Sequence, residues 1–184
     1  DCAKWVAQLL EEVGYVTEYV ESGQPGRGNV FARLAGPPDS DRGALLVHVH
    51  LDVVPAAAED WSVDPFSGAI RDGYIWGRGA VDMKDMAGMV LALARQFKRD
   101  GVVPPREIVF AFLADEEAGG AWGSHWLVQH RPDLFAQAVA AIRPQVDYVV
   151  SVAHGDEARA YADPLVDALG LWDERLPNIS RMWN

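Results

Sequence analysis

Ala44-Leu45-Leu46-Val47-His48-Val49-His50-Leu51-Asp52 is the stretch on which the fold turns. Its core, Ala44 to Val47, is continuously apolar, as expected of a strand buried on both faces of a sheet. Its polar residues gather at the far end, the edge where open α/β sheets place their ligands. A second apolar run, Ile108 to Leu113, repeats the arrangement and leads straight into Asp115-Glu116-Glu117. Between the two, Met86, Met89, Val90, Leu93 and Phe97 mark one face of a helix over Asp85 to Arg99, ended by Gly101 and Pro104-Pro105.

Working outward, Ala3, Val6, Leu9, Leu10 and Val13 follow helical spacing, with Gly14 as the stop. Tyr15 to Val20 and Asn29 to Leu34 read as strands about a turn-rich segment, Ser22 to Gly28. Ala69 to Arg71 and Tyr74 to Trp76 flank Asp72-Gly73, a pair suited to a type I′ turn. Trp122 to His130 reads as a helix closed by Pro132. The tail reads as a strand, Tyr148 to Val152, and a helix, Pro164 to Leu171. Strands alternating with helices imply an α/β sheet covered by helices.

The chain has 184 residues, of which 49% are hydrophobic, enough for a substantial core and not the composition of a disordered chain. A formal net charge of −11 argues against nucleic acid, whose phosphates need clustered Lys and Arg. No apolar run is long enough to span a bilayer, so no membrane partner is expected. Cys2 is the only cysteine, which excludes an internal disulfide and points to a reducing cytoplasm.

Three polar clusters stand where chain geometry favours a site: His50 with Asp52, Asp82 before the long helix, and Glu116-Glu117. Each has an ordinary explanation. A single His near a strand end is commonly a hydrogen-bonded structural residue, Asp82 could cap the helix, and the acidic triplet could be solvated loop. Their recurrence at strand ends favours a site instead, because adjacent carboxylates there repel unless protonated or bound to a cation. Neutral imidazole is a good zinc ligand, and a nearby carboxylate holds its ring in the required tautomer.

His50-Leu51-Asp52-Val53-Val54-Pro55, Trp61 to Phe66, Asp72 to Lys84 and Phe112 to Gly120, in that order, resemble the M20 metallopeptidases. That family includes aminoacylases, succinyl-diaminopimelate desuccinylases, carboxypeptidase G and carnosinase-like dipeptidases. The resemblance implies a three-layer, zinc-peptidase-like catalytic domain whose mixed, largely parallel sheet is flanked by helices. It places that domain at residues 1–135, with a divergent segment at 136–184 packed on it. It further implies two zinc ions, with Co²⁺ or Mn²⁺ as substitutes. His50 would ligate one ion, Asp82 would bridge, and Glu117 would ligate the other. Asp52 would orient His50, and Glu116 would be the general base. The reaction implied is hydrolysis of amide C–N bonds in dipeptides or N-acyl amino acids.

Several features depart from the family pattern. Val49 stands where many relatives have Gly, and His48 on the same strand face is an alternative ligand. The family site uses two more ligands, for which Asp147 and His154 are the candidates here. No segment after Phe135 is long enough for the family's lid domain, which mediates homodimerisation in many members, so the lid is expected to be absent. The contrasting readings are a non-catalytic remnant that binds metal partially and a metal-free α/β binding module.

Overall fold

A computed structural model of the chain describes residues 2–142; Asp147, His154 and the elements expected at 148–152 and 164–171 lie outside them. The described chain runs through helix α1 (Cys2–Glu11) and strands β1 (Thr17–Glu21), β2 (Gly28–Leu34), β3 (Ala44–His50), β4 (Ala69–Arg71) and β5 (Tyr74–Trp76). Helix α2 (Asp85–Arg99), strand β6 (Ile108–Leu113), helix α3 (Ser124–His130) and strand β7 (Ala138–Ile142) follow.

Among the described residues, five strands form a mixed sheet in the order β1-β2-β6-β3-β7. The β1–β2 and β2–β6 pairs are antiparallel, while β6–β3 and β3–β7 are parallel. The late strand β6 is central and wholly buried, as its unbroken apolar run requires. β7 lies beyond the boundary expected at residue 135 and pairs with β3 in this same sheet. Among the described residues the only other sheet is the β4–β5 ribbon, in which Asp72 and Gly73 both adopt positive φ. That is the backbone a two-residue type I′ hairpin needs.

Strand alternation divides the core into two layers. Ile108, Phe110 and Phe112 of β6, with Leu45, Val47 and Val49 of β3, pack under α1 and α2. Val109, Ala111 and Leu113 face the other way, against Leu127 of α3 and Leu134 of the following 3-10 turn. Helices on both faces of one sheet make the three layers. Each fully buried Phe or Leu here contributes about 1.5–3 kcal/mol.

Three local differences from the sequence pattern have physical reasons. The face α2 buries is Met86, Ala87, Val90, Leu91, Ala94 and Phe97, so Met89 and Leu93 are only flanking. The small Ala87 and Ala94 let the helix settle closer on that side than a count of large apolar residues suggests. Trp122 precedes α3, because its N–H is taken by the Asp115 carboxylate at 2.9 Å. Tyr15 is not in a strand; it is buried between β6 and α2, edge-on to Phe110, and its hydroxyl donates to Ala94 O at 2.8 Å. No helix among the described residues is long and apolar enough to cross a membrane.

Burial pushes the Tyr15 hydroxyl up from 10.0 to about 12. Tyr15→Phe should cost about 1 kcal/mol at neutral pH, read from urea unfolding, because Ala94 O loses a donor. The folded wild type favours the neutral phenol, so this contribution is intact below about pH 10 and lost as pH rises through about 12. The Phe variant should therefore show a shallower alkaline decline in stability.

Candidate metal centre

The parallel β3–β6 register pairs His50 with Leu113, so both strands deliver their polar ends to one edge. Leu51 N–H donates to Leu113 O at 2.7 Å and carries the pairing one residue further. Asp82 arrives from a wide turn, Ala80–Lys84, that runs into α2. Asp82 itself has φ −118° and ψ 97°, extended rather than helical, so it does not cap α2; the Asp82–Met83 peptide is cis. Lys84 ties this turn to β3, donating from its ammonium to Leu51 O. His50 N–H also points at Met83 Sδ, 3.4 Å away.

One ligand atom from each of His50, Asp82 and Glu117 lies within 4.8 Å of the others. His50 Nε2 is 3.0 Å from Asp82 Oδ1 and 3.8 Å from Glu116 Oε2. On the other side of the ring, Nδ1 is 3.1 Å from the main-chain oxygen of Asp52 and 3.5 Å from its carboxylate. A neutral imidazole with its proton on Nδ1 would face Asp82 with a lone pair. Only a proton or a cation can then sit between Nε2 and Oδ1. His48 lines the same cavity as His50, a space of about 250 Å³ also bordered by Met83, Glu116, Ser124 and His125.

The charges tell the same story. Burial opposes a charge on His50, but hydrogen bonds to Asp52 and Asp82 and the nearby Asp52 and Glu116 carboxylates outweigh it, raising its pKa to about 9. Burial likewise opposes the Asp52 charge. Hydrogen bonds from His50 and from the N–H groups of Glu117 and Glu116 overcome this and hold Asp52 below the usual carboxylate range. Glu117 is pushed up, first by burial and then by the Asp82, Glu116 and Asp52 charges, with His50 opposing. Crowded carboxylates beside an imidazole are a donor set suited to a divalent ion of zinc type, and a bound cation would relieve the repulsion.

Asp52 does something its sequence position did not announce: its two carboxylate oxygens accept the N–H groups of Glu116 and Glu117, at 3.1 and 3.0 Å. It therefore holds the two glutamates as well as touching His50. Two further polar residues are buried at the site although the sequence does not mark them as such: Asn29, and Asp115 of the acidic triplet, with 0% and 1% of their surface exposed. An Asn near the start of a strand whose one other polar side chain is Arg33 is the available signal for the first. Behind the glutamates, Gly123 is required by contact: a Cβ there would lie 1.8 Å from Ala114 O. Phe66 is exposed, while Trp61 is half-buried with the Arg78 guanidinium 5.3 Å from its ring centre.

The model of peptidase family M20/M25/M40 matches residues 46–164. The chain is 39% identical over 132 residues to a succinyl-diaminopimelate desuccinylase of Bradyrhizobium sp. (strain ORS 278), covering 68% of this chain and 33% of that protein. It is 45% identical over 111 residues to aminoacylase-1 of Sus scrofa, covering 59% and 27%. Among solved structures, human carnosine dipeptidase 1 aligns with a TM-score of 0.62 at 26% identity, covering 75% of this chain and 31% of that one. A di-peptidase of Saccharomyces cerevisiae shares the fold, with a TM-score of 0.61 at 24% identity over 76% and 31%. The chain thus spans a third or less of the length of these relatives.

Asp52→Asn should destabilise the metal-free protein by about 1–3 kcal/mol, because an amide cannot accept both N–H groups. The Asp52 pKa is lowered on folding, so its contribution is present above about pH 3.8 and lost as pH falls through its lower folded value. Denaturant midpoints measured with chelator across pH 2–7 should show that acid decline in wild type and a weaker one in the variant.

Proposed function

Because the chain belongs to peptidase family M20/M25/M40, we propose that its described residues form the metal-binding half of an amide hydrolase acting on dipeptides or N-acyl amino acids. The observation that carries this reading is the convergence of His50, Asp82 and Glu117 ligand atoms within 4.8 Å, with Glu116 beside them. His50, Asp82 and Glu117 would hold the divalent ions, zinc foremost, with Asp82 shared between two. Such ions polarise a carbonyl and lower the pKa of water.

The chain's own groups divide the remaining work. Asp52 holds the His50 ring through Nδ1, leaving Nε2 turned toward Asp82. Glu116 serves as the general base, taking a proton from the attacking water and returning it to the departing amine nitrogen. Its backbone N–H is held by the Asp52 carboxylate, which places the start of its side chain at the cavity wall.

A non-catalytic metal-binding remnant is the second reading. It is favoured by the size of the donor group, three residues among those described, where a two-ion centre needs more. One experiment separates the two. Zinc titration of the full chain, followed by calorimetry, should give saturable uptake that His50→Ala weakens by orders of magnitude. Hydrolysis of dipeptides and N-acetyl amino acids is then assayed on the loaded protein. Glu116→Gln should retain zinc but lower kcat by about 10²–10⁴-fold. Stoichiometric zinc with no turnover would leave the remnant reading, and no uptake would exclude both.

A further inference from the structure

We infer that Asp115 is a positioning residue for the Glu116–Glu117 pair, acting with Arg27 and Asn29; this rests on the roles proposed above for the two glutamates. Asp115 is the first acid of the triplet, and unlike Glu116 and Glu117 it is fully buried. It is 1% exposed and adopts φ 67°, a left-handed backbone that reverses the chain as it leaves β6. Its main-chain oxygen accepts Gly120 N–H at 2.6 Å, closing the loop that contains both glutamates. One carboxylate oxygen accepts Trp122 N–H at 2.9 Å, and the other lies 3.4 Å from Arg27 Nε.

The residue before it is held from the neighbouring strand. Ala114 N–H donates to Asn29 Oδ1 at 2.9 Å, while Asn29 Nδ2 donates to Val20 O and Arg27 O, at 3.3 and 3.2 Å. Asn29 is wholly buried, and every one of these bonds is to backbone. Arg27 is thereby located by its own carbonyl before its side chain meets Asp115. The glutamates are consequently gripped from two directions. Asp115 and Asn29 anchor the turn from the β2 side, and Asp52 holds the Glu116 and Glu117 N–H groups from the β3 side. Releasing the first grip leaves the Asp52 bonds to hold the turn from one side only, so the turn loosens and the glutamates lose precision in their direction toward His50.

The test uses the full chain with Asp115→Asn and, as a gentler change on a partly exposed side chain, Arg27→Gln. Amide hydrogen exchange without metal should rise about 10-fold or more at Glu116 and Glu117, with β6 and α2 amides unchanged. Zinc affinity should fall about 10–100-fold, and kcat on an N-acetyl amino acid should fall similarly while KM moves less than about 3-fold. Wild-type exchange and zinc affinity in both variants would overturn the inference. So would a uniform loss of protection across β6 and α2, which marks an anchor of the whole fold only. If the wild-type chain takes up no zinc, the metal reading fails, and the exchange pattern alone decides whether Asp115 positions the turn.

Discussion

Two strands that advance in step must leave a sheet at the same edge, and the register of β3 against β6 makes this the organising constraint of the molecule. His50 sits beside Leu113, so the residues after each strand enter the same space. The Asp52 carboxylate then closes the gap by accepting the two N–H groups of the neighbouring turn. Asp82 comes from a different part of the chain, yet Lys84 ties its turn to Leu51, one residue past the same strand end. A slip of β3 by one residue in that register would move every β3 side chain to the opposite face and scatter the cluster.

The cluster runs against folding stability. A buried imidazole, three partly covered carboxylates and a fully buried Asp115 would each cost free energy without partners. The partners are mostly backbone: N–H groups on Asp52, the Asp52 oxygen on His50, the Trp122 N–H on Asp115. Backbone partners cannot be lost by substitution, but they depend on the loop keeping its shape. That is why the close approach of Gly123 to Ala114 O belongs to the site although neither residue has chemistry of its own.

The parts of this arrangement that are periodic are legible in the sequence. β3, β6 and α2 announce themselves through unbroken apolar runs and helical spacing, and Asp72-Gly73 marks its hairpin through local backbone preference alone. The strand-end positions of His50 and Glu117 follow from those runs, and the structure brings them together with Asp82. What stayed hidden depends on contacts between distant residues. Asn29 meets Ala114 across 85 positions of chain, and nothing in its neighbourhood shows that its amide is spoken for. Asp115 looked like one more solvated acid until the fold turned it inward. In the sequence Tyr15 reads as the first residue of a strand, whereas its hydroxyl donates to a carbonyl of a helix 79 positions away.

The central place of β6 also bears on how the chain is made. β2 and β3 are not neighbours; each pairs with β6, which comes after α2 in the chain. While β6 is still inside the ribosome, the segment before it can pair only β1 with β2 and β4 with β5, leaving β3 solitary and α1 and α2 without the central strand they pack on. Their apolar faces stay wet until Ile108 to Leu113 clears the exit tunnel and joins both halves. Nascent chains of this protein should therefore lean on chaperones until β6 is released, and stalling before it would leave a sticky intermediate that lacks the joined sheet.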